Sequence, residues 1–392
     1  MHGSNAPLSA PDPLAPLHQA HPANAIRPRF YKPELDVLRA IAFLFVLDSH
    51  ILPSAPHFTI LSALSQSGTA GVCLFFTLSA FLITALLLRE RETTGTVHIR
   101  DFYIRRILRI WPLYFLILGL GIVVPHLVHR SAHALPVLLP YLLFCGNWAI
   151  VWHGSWFANP LIMPLWSISV EEQFYIIWPA LVRRWAVPGI VVAACLTFPI
   201  GWATDYAIPH FHRLLDPVLR VNSLSQFQFF GLGALLAVAN QRRTISLNLP
   251  LRALALLTSL ACFLFAAYPD HFDSPIRGTT AWNILSGYFV LDLACLLLFV
   301  ALLNLRLPSG ARPFVYLGKI SYGLYVFHFI VAIALHDLFA RKLHLALTAQ
   351  LTATYAATLT LSVAIASASY YFYEKPFLRF KHRFTHIASR VA

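Results

Sequence analysis

From Leu35 onward the chain alternates between long apolar runs and short polar breaks that are often basic. Eleven runs stand out, near residues 35–53, 70–88, 110–127, 135–152, 165–182, 186–204, 224–240, 252–268, 280–304, 314–339 and 346–373. Most are roughly 17 to 25 residues long, the length an α-helix needs to cross about 30 Å of hydrocarbon. The pattern predicts an all-α, polytopic transmembrane bundle. One run differs from the rest: 135–152 is interrupted by Pro140 and by Gly146-Asn147, and an uncharged, Trp-rich stretch from Trp148 to Trp166 follows it. Such a segment is expected to be re-entrant or interfacial, covered by protein where its backbone is irregular. About ten spanning helices remain.

Composition agrees with this picture. Of 392 residues 58% are apolar and only 11% charged, against about a quarter charged in soluble domains, which excludes a cytosolic enzyme, a disordered chain and a secreted disulfide scaffold. The net charge of +13 would suit nucleic acid in a soluble protein, but membrane proteins collect Lys and Arg in their cytoplasmic loops. With ten spans and both termini inside, only Arg130, Arg213, Arg220, Arg277, Arg341 and Lys342 of the 29 basic residues fall outside. The charge is mostly a topology signal, and no nucleic-acid partner is expected. Residues 1–30, rich in Pro, Ala and His and without a signal-peptide core, read as a disordered cytoplasmic tail. Residues 31–380 form one membrane domain without an evident internal repeat, and 381–392 a basic cytoplasmic C-terminal tail. The five cysteines lie in apolar runs without metal or redox spacing. No His-Glu-x-x-His or Cys cluster organises the 18 histidines, so no metal is expected.

Ionisable groups inside the bilayer cost about 2.5 to 3.5 kcal/mol on insertion scales, so each needs a reason. The first span carries Asp36, Arg39, Asp48 and His50. Eleven residues separate Arg39 from His50, which at about 100° per residue returns to nearly the same face after a rise of about 16 Å. An imidazole beside Asp48 and Ser49, below the interface, suits proton transfer. Arg39 read alone fits equally a cation reaching the headgroups.

The run Glu34-Leu-Asp-Val-Leu-Arg-Ala-Ile-Ala42, with His50 eleven residues after Arg39, resembles the first helix of the acyltransferase 3 family, integral-membrane enzymes that move acyl groups, usually acetyl, onto carbohydrates. Further stretches resemble that family in the same order: Gly71 to Thr84, Phe102-Tyr-Ile-Arg-Arg-Ile-Leu-Arg-Ile-Trp-Pro112, Leu165-Trp-Ser-Ile-Ser-Val-Glu-Glu-Gln-Phe-Tyr-Ile-Ile-Trp-Pro179, Leu317 to His328, and Tyr373-Glu-Lys-Pro-Phe-Leu-Arg379. The match spans about 35 to 380. Two departures are Ala80, where the family generally has Gly, and Asp48-Ser49, where apolar residues are commoner; the second leaves Asp48 open as a carboxylate partner for His50.

The resemblance implies an acyl-CoA-dependent O-acyltransferase of the bacterial inner membrane acting on a carbohydrate or glycolipid hydroxyl. His50 is then expected to take the hydroxyl proton or carry the acyl group transiently, since an alcohol is a weak nucleophile until deprotonated. Arg39, always protonated, is expected to act in the active site or bind donor. Of Arg105, Arg106 and Arg109, which composition alone reads as topology or lipid anchors, the resemblance selects Arg106 and Arg109 for the phosphates of acyl-CoA. Glu171, i to i+4 with Tyr175, is expected to share a polar pocket with His50 and orient its imidazole or bind acceptor, while Glu172 faces the interface. Tyr325 and His328, with Ser321, follow helical spacing into the bundle toward substrate. Asp292 is expected to pair with Gln226 or Gln228. Because the chain stops shortly after its last span, the hydrolase-like C-terminal domain of some relatives is not expected. Two other classes fit ten helices with buried charge: an ion-coupled transporter or flippase for a glycan or lipid-linked substrate, and a non-catalytic scaffold. Transporters usually carry inverted repeats and broken helices in matching halves, which the sequence does not display.

Overall fold

Pro33 opens helix α1 (Pro33–Ile51), where its fixed φ suits helix entry, and Glu34 and Asp36 in the first turn complement the positive end of the helix dipole. The computed structural model describes residues 30–52, 60–127, 135–156, 159–211, 216–267, 280–342 and 347–387, whose regular structure is entirely helical. After α1 come a short α2 (Ile60–Ser65), α3 (Gly68–Thr94), α4 (Ile99–Leu127), a short pair α5 (Leu135–Leu142) and α6 (Gly146–His153), α7 (Leu165–Arg184), α8 (Val187–Phe211), a short α9 (Asp216–Val221) and α10 (Ser223–Arg242). Then follow α11 (Leu249–Ala266), α12 (Ala281–Leu302), a short α13 (Arg312–Lys319), α14 (Ser321–Lys342), α15 (Leu347–Ala368) and, beyond a π-helical turn at Ser369–Glu374, α16 (Lys375–Lys381).

Seven of these stretches are long and apolar enough to cross a membrane: α3, α4, α8, α11, α12, α14 and the α15 to α16 rod. Helices α1, α7 and α10 are of comparable length, 19, 20 and 20 residues, but carry the polar positions, among them Arg39, Glu171 and Gln226. The chain is a multi-pass membrane protein. The tail before residue 30 lies outside the described residues, as do residues 388–392. Of the basic side chains expected outside, only Arg220 is described.

The run at 135–152 folds as two eight-residue helices, each about 12 Å long and so too short to cross. Phe144 joins them with a left-handed φ of 53°. Helix α7 supports that break with one amide: Gln173 Nε2 donates to the Phe144 carbonyl at 2.8 Å and to Asn147 Oδ1 at 2.9 Å. Its Oε1 accepts from Ser223 Oγ at 2.7 Å and Trp148 Nε1 at 3.2 Å. Asn147, fully buried, completes the network through Ser223 Oγ at 2.8 Å and the Val221 carbonyl at 3.1 Å. A buried network is stable only when every member is satisfied. Gln173→Leu is therefore expected to destabilise the fold by about 2 kcal/mol or more, since each orphaned buried group costs about 1 to 3 kcal/mol, and a thermal melt of the detergent-purified protein checks it.

Helix α1 lies between α3, α13 and α14. Close approach on either side depends on glycine: a side chain at Gly71 would stand 2.5 Å from the Ala42 carbonyl, and one at Gly318 would strike the main chain of Asp36. The expected single run at 314–339 consequently divides at Ile320, with α13 laid against the start of α1 and α14 continuing past its far end.

Candidate active site

Along one face of α1 the structure opens two cavities. The first, about 150 Å³, surrounds the N-terminal half of α1 and is lined by Tyr31, Lys32, Asp36 and Arg39, with Ser79 of α3, Arg106 and Arg109 of α4, Glu171 and Tyr175 of α7, Tyr322 and Tyr325 of α14, and Lys381. Arg39 is committed to Asp36, Nη1 to Oδ1 at 2.6 Å, and Tyr31 donates to the other oxygen at 3.0 Å. Tyr175 donates to Glu171. The Arg106 guanidinium lies over the rings of Tyr175 and Phe102, at 5.3 and 5.5 Å, with Nε buried and without an acceptor. Among the described residues Arg106, Arg109 and Lys381 form no ion pair with a carboxylate. The cavity thus offers three cations outside any ion pair, with the one carboxylate of Glu171 on the same wall.

Arg105 separates from its neighbours. It donates to buried Glu90 at 2.8 Å and to the Phe384 carbonyl at 2.6 Å, so of the three arginines only Arg106 and Arg109 reach the cavity. Glu90, His98 and His386 are the one group of metal-type ligands among the described residues. Both Glu90 oxygens are already engaged, one by the His98 main-chain N–H at 2.9 Å and the other by Arg105, and the cluster is a structural tie between the α3–α4 turn and the chain after α16.

The second cavity, about 350 Å³, lies at the C-terminal end of α1. Ser49 and His50 line it together with Gln66, Trp156, Trp166, Arg220, Gln226, Tyr325, His328 and Phe329. The hydrogen bonds assign both imidazole tautomers. A carbonyl only accepts, so His50 Nδ1, 2.7 Å from the Val46 carbonyl, carries its proton, as does His328 Nδ1, 2.7 Å from the Tyr325 carbonyl. His328 Nε2 is then unprotonated and lies 3.4 Å from His50 Nδ1, whose proton goes to the nearer Val46 carbonyl. In the neutral ring this leaves His50 Nε2 unprotonated, on a side chain open to the cavity. Trp156 and Trp166, 6.3 Å apart, supply an aromatic wall.

Val72 and Tyr325 line both cavities, and Tyr325 is fixed by a 2.7 Å hydrogen bond to Ser167. Of the residues singled out in the sequence, the structure brings Arg39, Arg106, Arg109, Glu171 and Tyr175 to the first cavity, His50 and His328 to the second, and Tyr325 to the partition between them.

Several expectations need correction. Glu171 and Tyr175 do not share a pocket with His50, whose orienting groups are the Val46 carbonyl and His328. Asp48 points elsewhere and accepts from Tyr355 at 2.8 Å. Glu172 is buried, beside the indole of Trp111 at 3.5 Å, and does not face the interface. Asp292 pairs with neither glutamine: Gln228 donates to Asp205 at 3.0 Å and Gln226 to the Arg220 carbonyl at 3.0 Å. Sequence reasoning passed over Lys381, Tyr31 and Arg220. Only the density of Trp between 148 and 166 signalled a lining segment.

A family model for an acyltransferase domain, acyltransferase 3, matches residues 32–367. A Staphylococcus aureus protein provisionally named an O-acetyltransferase is 27% identical over 375 residues, 88% of this chain and 57% of its own length. The peptidoglycan O-acetyltransferase OatA of Listeria monocytogenes is 27% identical over 344 residues, 77% of this chain and 49% of that protein. The chain thus spans about half the length of these curated relatives. No solved structure matches it.

Proposed function

The chain belongs to the acyltransferase 3 family and is an acyltransferase, and from that premise we propose that it moves an acyl group, acetyl in the reference case, from acyl-CoA in the first cavity to a hydroxyl of a carbohydrate or glycolipid in the second. The observation that carries this reading is the pairing of two cavities across Val72 and Tyr325, one holding three cations outside any ion pair and the other a histidine with a free ring nitrogen. Arg and Lys outside ion pairs suit the phosphates of a CoA thioester. In the second cavity His50 Nε2 takes the proton of the acceptor hydroxyl while its oxygen attacks the thioester carbonyl; the C–S bond then breaks and the thiolate leaves as free CoA once protonated. The Val46 carbonyl, accepting from His50 Nδ1, and the unprotonated Nε2 of His328 beside it support the imidazolium that forms. Arg39, locked to Asp36, shapes the donor cavity, and Glu171 orients Tyr175 against Arg106.

In this reading the chain crosses the bacterial inner membrane ten times with its basic loops inside, so that the first cavity faces the cytoplasm, where acyl-CoA is made, and the His50 cavity faces outward. Purified protein supplied with acetyl-CoA and extracted surface glycan tests the reading: acceptor-dependent release of free thiol, with an acetyl mass increment on the glycan, is expected. Movement of a glycan or lipid-linked sugar across the membrane without thiol release would instead establish the transporter or flippase.

A further inference from the structure

The first cavity takes one of its three cations outside ion pairs from beyond the family domain. Lys381 closes α16, beyond the matched residues 32–367, yet it lines the cavity with Arg106, Arg109 and Tyr175. Its position is built. Tyr373 donates to the Pro112 carbonyl at 3.1 Å, Arg105 to the Phe384 carbonyl at 2.6 Å, and His386 Nε2 meets Asp101 Oδ2 at 2.8 Å. Thr385 Oγ1 donates back to the Lys381 carbonyl at 2.9 Å, and Ile387 is buried against the core. Three hydrogen bonds on both sides of Lys381 thus hold its segment along α4.

Like charges brought together repel, and the repulsion grows in a poorly solvated site. Arg39 is neutralised by Asp36, whereas Arg106, Arg109 and Lys381 have no carboxylate partner among the described residues. Three such cations, set against the single Glu171 carboxylate on the cavity wall, suit an anion of more than one charge. We propose that Lys381 is a third phosphate-binding residue of the donor site, so that the segment after the family domain forms one wall of a polyphosphate cradle for the CoA moiety. This rests on the reading of the chain as an acyl-CoA-dependent enzyme. A point-charge ammonium complements the planar guanidinium forks of the two arginines, and a cradle of three cations suits a donor bearing a diphosphate and a separate ribose phosphate.

The competing source of phosphate is an anionic lipid headgroup at the membrane surface. Equilibrium binding of CoA to the full-length protein separates the two, measured in nanodiscs of phosphatidylcholine alone and of phosphatidylcholine with phosphatidylglycerol. Lys381→Met is expected to weaken CoA binding roughly tenfold in both lipids, the size of one lost charge-assisted contact, and Lys381→Arg to restore it to within about twofold. Pantetheine, which lacks every phosphate, is expected to bind wild type and Lys381→Met alike. Lys375→Met, whose ammonium lies over the Tyr371 ring outside the cavity, is expected to leave CoA binding unchanged. A wild type that fails to bind CoA would overturn the donor reading itself. A wild type that binds CoA, with Lys381→Met binding equally well or weakened only when phosphatidylglycerol is present, would overturn the assignment of Lys381 and leave the donor reading standing.

Discussion

Removing the His50 imidazole is expected to lower the rate of acyl transfer by about a hundred- to ten-thousandfold, the range that a positioned general base contributes. His50→Ala deletes the Nε2 lone pair on which deprotonation of the acceptor depends. The donor cavity stays whole, because His50 is not among its lining residues. CoA binding should therefore stay within about twofold of wild type while kcat collapses, a division that loss of folding would not produce. His50→Gln, close in shape but without a titratable nitrogen, should be as inactive as Ala. The measurement is acceptor-dependent thiol release, paired with the mass of surface glycan from cells carrying each variant. Full transfer by normally expressed His50→Ala would remove the imidazole from the mechanism.

The neighbouring imidazole provides a graded companion. His328 is almost fully buried, packs edge-on to Phe43 at 5.8 Å and touches the reaction through His50. In the proposed reaction it is a positioning residue. His328→Gln keeps an acceptor toward His50 Nδ1 and should lose about tenfold in kcat with the acceptor KM little changed, whereas His328→Leu, with no acceptor, should approach the His50 variants. Equal activity in the two would mean that the contact carries no catalytic weight.

The helices were legible because each apolar run states its own length, and the Arg39 to His50 face because both residues lie on one helix, where 100° per residue suffices. The break in 135–152 was readable from Pro140 and Gly146-Asn147. The cavity each side chain enters was not readable, since that depends on how α7 and α14 lie against α1. Glu171 and His50 sit at compatible depths in a linear reading, yet helix packing gives Glu171 to the arginines and leaves His50 to His328. The break at Ile320 was hidden for a related reason: α13 is helical and partly apolar, and only the closeness of Gly318 to Asp36 turns it away from α14. Lys381 escaped notice because a basic residue after the last apolar run has an ordinary explanation in topology, and only the tertiary fold returns its segment to α4. Charge counting placed Arg220 in an outer loop, where nothing distinguished it from a headgroup contact, but the fold sets it in the wall of the His50 cavity.

Reversing both cavity arginines of α4 is expected to abolish donor binding. Arg106→Glu with Arg109→Glu replaces two of the three cations outside ion pairs by anions, so that phosphates which met attraction meet repulsion. A lost contact to a charged group costs about 1.5 to 3 kcal/mol. Two such losses, with repulsion added, put the CoA dissociation constant at least about a hundredfold higher, the two sites being close enough to couple rather than add. Membrane insertion should persist, because Arg89, Arg91, Arg100 and Arg105 still mark the same loop. The paired neutral variant, Arg106→Gln with Arg109→Gln, isolates the attraction from the repulsion and should show a smaller rise, with kcat at saturating acetyl-CoA partly retained. Arg106→Lys alone keeps the charge but gives up the planar face laid on Tyr175, so its deficit measures what stacking and fork geometry add to charge. Arg105→Gln supplies the contrast: it should lower the melting temperature by freeing Glu90 and the Phe384 carbonyl, and affect CoA binding only through that loss. A charge-reversed protein that inserts normally and binds CoA like wild type would return Arg106 and Arg109 to the role of membrane anchors and leave the cations of the first cavity without a ligand.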